Sequence, residues 1–281
     1  MKGRLPDPRT CALLARHELR IVLRSRWVAV YAGLFALLAA AVSYFGLTVI
    51  EFTGFQSFDR TAVSLLNLVL YLVPLATMLM AVQSFRSEGG MTEQLMAEPV
   101  TRVEVALGKL AGLGTAHVTA TLLGFGFSGV VIGAKVGVRG LSAYLVLVGF
   151  TMLLGAVFLA LASFLTILAG RGLRAYAAVL VAWFVFVLLF DLTVIGLTFV
   201  LPEAWATRLA IAGVVANPID AARVATLLAI AGKELFGAAG AQLVRSLGGV
   251  GAAIGVLTAV LVAWLAVPAA AGVWALNRRD L

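Results

Sequence analysis

A single cysteine, Cys11, excludes an internal disulfide and any cysteine-based metal cluster. Histidine is nearly as scarce: His17 and His117 stand 100 positions apart and have no metal-ligand spacing. Charge is also thin, with 12% of residues Asp, Glu, Lys or Arg against 62% hydrophobic, and the mean hydropathy is +1.07. Soluble domains are about 45–50% apolar, so this composition reads as an integral membrane protein. The net charge of +8 belongs to residues flanking apolar runs and not to one paved face, which argues against nucleic acid and for anionic lipid.

Six apolar stretches are long enough to cross a hydrocarbon core of about 30 Å. They run near Trp27 to Ile50, Ala62 to Ser84, Val105 to Ile132, Leu141 to Ala169, Ala175 to Val200 and Gly248 to Leu276. Runs of this length satisfy their backbone groups as helices, whereas barrel strands are about ten residues with alternating polarity. The expected fold is an all-α membrane protein forming one transmembrane domain over residues 1–281. Under this layout about 14 Lys and Arg fall on the side of the termini and about 7 on the other, which puts both termini in the cytoplasm. The first apolar run is too long for the core of a cleavable signal, so it reads as an anchor that stays.

Residues 10–26 have helical spacing, with Arg16, Arg20 and Arg24 in one row and Leu13, Leu14, Ile21 and Val22 elsewhere around the axis. That pattern reads either as an interfacial amphipathic helix or as a positive flank to the first span. Gly89 and Gly90 end the second span, and Pro99 ends a short helix after them. Thr101 and Glu104 make a T-x-x-E capping box that starts the third span. Residues 85–104 therefore read as a cytosolic elbow between two spans.

Between spans five and six lies a longer outer loop, residues 201–247. Asn217 is placed to cap a helix that has Pro218 at its first position and runs to Ile230, two helices of this loop packing at the membrane surface. Asp220 and Arg223 share a face of it, and with Asn217 they are candidates for docking an outer partner; a lid sealing the bundle is the alternative. Asp191 is the acid deep inside a span, serving either a function or the joining of helices.

Three chemistries find little support. Gly108-Lys109 resembles the end of a phosphate-binding loop, but Val103 and Leu110 stand where glycine and a hydroxyl residue are required. Gly126-Phe127-Ser128-Gly129 resembles the nucleophile motif of intramembrane proteases, yet His117 lies about 16 Å away along the same helix. Small residues such as Ser128, Gly251 and Gly255 read as helix-packing surfaces. Met78 and Met80, two apart, read as core filler and not as metal ligands.

The elbow resembles the cytosolic segment of ABC-2-type permeases in Glu88, Gly90, Glu93, Leu95, Pro99, Val100, Arg102, Gly108 and Lys109, and departs from it at Met91-Thr92. Glu18-Leu19-Arg20, Arg24 to Trp27 and the ending Asn277 to Leu281 look like the same family. The resemblance implies a non-catalytic, multi-pass subunit of the bacterial inner membrane. It would work as a homodimer with two copies of a cytosolic ATPase docked through Glu88, Gly90, Glu93, Leu95, Pro99 and Arg102, with no cofactor or metal of its own. Within the family, Phe190-Asp191 and Asn217 to Val224 are similar to permeases that mature the copper enzyme nitrous oxide reductase. That likeness implies a periplasmic copper-handling partner. The alternatives are an exporter of another solute, and a stand-alone secondary transporter or channel with polar residues lining its path.

Overall fold

In the computed structural model of the chain, the described residues are 6–24, 33, 36–37, 40, 58–86, 100–136, 141–170, 172–232 and 244–278. Their regular structure is helical throughout: α1 (Pro8–Arg24), α2 (Phe58–Arg86), α3 (Arg102–Val136), α4 (Leu141–Ala169), α5 (Leu173–Phe184), a π-turn (Val185–Leu189), α6 (Phe190–Val200), α7 (Glu203–Ala216), α8 (Pro218–Ala231) and α9 (Val250–Arg278). Five helices are long and apolar enough to cross a membrane, the fourth being α5, π-turn and α6 taken together; α7 and α8, bent by 98°, count as a sixth if taken as one broken span. These five match the expected spans two to six. The expected first span, Trp27 to Ile50, lies almost wholly outside the described residues.

Helix α4 is the hub, packing against α2, α3, α5, α8 and α9. It carries no charged residue, and apolar side chains lie all round it, as a helix enclosed by others requires. Lipid tails are as apolar as leucine, so close fit, not water exclusion, holds such helices together. One contact is very close. The bare backbone of Gly155 lies under the His117 ring of α3, where an added Cβ would stand 2.1 Å from Nε2. Hydroxyls within the bundle are satisfied on their own helices: Thr151, Ser163, Thr166 and Thr226 each donate to the carbonyl four residues back.

The turn from α4 to α5 is made by Gly170 and Gly172 at φ 79° and 91°, a region side-chain-bearing residues rarely adopt. At the end of α9, the Arg278 guanidinium sits 4.1 Å from the Trp274 ring centre, an arrangement suited to a membrane–water boundary.

Candidate functional site

Two polar assemblies stand out, one at each level of the bundle. The first lies where α1 crosses the start of α3. Asp7 begins α1 by accepting from the Arg9 N–H at 3.2 Å and the Thr10 hydroxyl at 3.0 Å. The expected capping box forms: Glu104 accepts from the Thr101 N–H at 2.7 Å and its hydroxyl at 2.8 Å, and the Glu104 N–H donates to the Thr101 hydroxyl at 3.3 Å. The Glu104 carboxylate also takes the Asp7 N–H at 2.7 Å, so the starts of α1 and α3 are bound to each other.

One turn further on, the helices touch backbone to backbone. A Cβ on Gly108 would stand 2.5 Å from the Leu14 Cβ, and one on Gly112 would stand 2.7 Å from the Ala15 carbonyl. Beside them lies a buried ion pair, Lys109 Nζ to Glu18 Oε2 at 3.6 Å, with both side chains less than a tenth exposed. The pair extends to the last turn of α2: the Ser84 hydroxyl donates to Glu18, Lys109 donates to the Ser84 carbonyl and hydroxyl at 3.2 Å, and its ammonium sits 5.0 Å from the Phe85 ring centre. Arg102 donates to the Leu276 carbonyl at 3.3 Å, tying in α9.

Every helix that leads into or out of the elbow is thus anchored in one knot. Arg102 is the one residue of the proposed ATPase-coupling set that the structure describes; Glu88, Gly90, Glu93, Leu95 and Pro99 lie outside the described residues. The Glu18–Lys109 pairing was not anticipated from sequence, although both residues belong to the segments that carried the family resemblance. The same end holds Cys11, whose thiol pKa is raised by burial and then by the carboxylates of Glu104 and Asp7, which keeps it protonated and slow to react. α1 also has a protein face that its arginine row did not reveal. Leu14, Ala15, Glu18 and Val22 are turned inward, Glu18 and Val22 fully buried, while Leu13, Ile21, Arg16, Arg20 and Arg24 are exposed.

The second assembly surrounds the bend between α7 and α8. As expected, Asn217 caps α8 by accepting from the Ile219 N–H at 3.0 Å, with Pro218 at the first helical position. Its location differs from the expected one. The Asn217 amide donates at 2.9 Å to the carbonyl of Phe186, about 21 Å along the helix from Val200 at 1.5 Å per residue. Trp264, midway along α9, donates to the Val215 carbonyl at 3.3 Å. The V formed by α7 and α8 therefore dips to the middle of the bundle instead of lying on its surface, because α8 is apolar on the faces that meet α4 and α9.

Within this V the three docking candidates are drawn together, with Asp220 and Arg223 half-buried. Asn217 is fully buried. Arg223 reaches Asp220 at 2.7 Å and Asp191 at 3.1 Å, and Asn217 donates to Asp220 at 3.1 Å. The four side chains form one polar network that joins span five to the start of α8. Asp191 gains an arginine partner that sequence spacing did not disclose.

The remaining candidates have local roles. Ser128 donates to the Gly124 carbonyl at 3.1 Å and His117 Nδ1 lies 3.4 Å from the Thr121 hydroxyl, so serine and histidine are not a catalytic pair. Met78 and Met80 are both buried in the core of α2. No group of three or more His, Cys, Asp or Glu able to hold a metal occurs among the described residues.

Residues 12–281 match the family described as ABC-2 family transporter protein. The chain is 36% identical over 220 residues to a probable ABC transporter permease protein NosY of Pseudomonas aeruginosa, covering 76% of this chain and 80% of the relative. It is 33% identical over 263 residues to a protein of the same name from Stutzerimonas stutzeri, covering 90% of this chain and 93% of the relative.

Proposed function

The chain belongs to the ABC-2 family of transporter proteins, and from that premise we propose that it is a NosY-type permease working as a homodimer on two copies of a NosF-like cytosolic ATPase. The likeness to two proteins named as NosY permeases over most of the chain carries this reading. The end holding α1 faces the cytoplasm of a bacterial inner membrane, as the Lys and Arg distribution favours. The elbow, through Glu88, Gly90, Glu93, Leu95, Pro99 and Arg102, receives the push of the ATPase. Its two roots are held by Ser84 and Lys109, so a displacement there is passed to α1, α2 and α3 together.

At the other end the outer loop, residues 201–247, docks a periplasmic copper-handling protein of the NosD kind, and the complex serves copper-site maturation of nitrous oxide reductase. Asn217, Asp220 and Arg223 serve that docking, held in place by their links to span five.

Native mass spectrometry of the detergent-solubilised complex tests the stoichiometry. The expected species contains two copies of this chain with two ATPases. One copy beside two ATPases contradicts the symmetric assembly.

A further inference from the structure

A π-turn holds one more residue per turn than the α-helix around it, leaves a carbonyl out of register, and is found mostly where a helix has work to do. The turn at Val185–Leu189 separates two halves of span five that are held very differently. Below it, α5 packs against α2 and α4, Ala175 and Val179 are fully buried, and the Trp183 indole donates to the Tyr71 carbonyl at 3.2 Å. Above it, no residue of α6 is buried, and among the described residues α6 packs mainly on α7 and the turn itself. Phe199 is 85% exposed.

One side-chain link joins the upper half to α8, and two others support it. Asn217 takes the Phe186 carbonyl inside the π-turn, Arg223 takes Asp191 one residue beyond the start of α6, and Asp220 braces Arg223 from the same helix. Helix α8, which carries these groups, is packed firmly on α4 and α9. The Phe186 ring itself is wedged edge-on between Phe158 of α4 and Trp264 of α9, with centres 6.0 and 5.5 Å away. The lower half, the turn and the V thus belong to the bundle, while α6 reaches α8 through the ion pair.

We propose that Asp191 is a positioning residue that, through Arg223, latches the second half of span five onto the re-entrant V, with the π-turn as the hinge released when the latch opens. The proposal rests on the coupling reading above for what drives the motion: a change begun at the elbow reaches the V through the bundle and is passed from α8 to α6 only while the two are joined.

The test uses the full chain with its ATPase, with Cys11→Ser removing the native thiol. Spin labels are placed at Phe199→Cys, above the turn, and Leu141→Cys at the start of α4; a second pair joins Val181→Cys, below the turn, to the same reference. Asp191→Ala removes the acceptor altogether and leaves Arg223 paired with Asp220, so it releases the latch without stranding a charge. Without nucleotide, the expected result is loss of the narrow within-chain Phe199 distance while the Val181 distance stays narrow, with Arg223→Lys retaining both. A narrow within-chain Phe199 distance in Asp191→Ala, or equal broadening of both pairs, overturns the latch. Adding ATP to the unsubstituted latch tests the other reading separately: Phe199 distances that ignore ATP count against coupling, whatever Asp191→Ala does.

Discussion

Replacing Gly155 with alanine is expected to break the contact between α3 and α4 and to cost the bundle about 3 kcal/mol, the upper part of the range for overpacked cores. The added methyl would stand 2.1 Å from His117 Nε2 and 2.3 Å from Cε1, and the ring is fully buried, so it has no solvent-facing position to retreat to. Unlike the end of a lysine, an imidazole is rigid, and moving it also disturbs its 3.4 Å approach to Thr121. The effect is measured as a lowered thermal midpoint in detergent. Adding His117→Ala to Gly155→Ala is expected to recover part of the loss, since the two positions share one volume and their effects do not add. A Gly155→Ala protein as stable as the parent removes this contact from the account of the fold.

Lys109→Ala has the second large expected effect. Removing one partner of a buried ion pair leaves the other charge uncompensated, at a cost of about 3–5 kcal/mol. Here the stranded group is Glu18, retained by Ser84 alone among the contacts described above. Replacing both charges by methionine is expected to be much milder, because two apolar side chains of similar length fill the space without a buried charge. Thermal melting of the single and double variants distinguishes these outcomes. A Glu18→Met/Lys109→Met protein less stable than Lys109→Ala would mean that the knot depends on hydrogen bonds to Ser84 more than on charge balance.

Much of the fold could be read before the structure because its signals are local. Apolar length marked spans two to six to within a few residues, and the Thr101–Glu104 and Asn217–Pro218 caps followed from chemistry between residues no more than three apart. Contacts between distant segments left no such trace. Glu18 and Lys109 meet only because Gly108 and Gly112 let two backbones approach, and Asp191 meets Arg223 only because α7 doubles back to the π-turn. Periodicity is silent in helices that are apolar all round, so nothing in span five announced the turn at Val185–Leu189, and nothing in α8 showed that it would be enclosed by α4 and α9. The spacing of Asp220 and Arg223 likewise showed that they share a face, but not that Asp191 meets it.

As proposed, the elbow receives the ATPase and passes its motion into a bundle whose helix ends are already joined. Replacing Glu93 and Leu95 together with alanine, in the full chain coexpressed with its ATPase, tests it most directly. Loss of copurification and of ATPase stimulation, with insertion and thermal midpoint unchanged, is the predicted result. Undiminished copurification and stimulation would contradict the account.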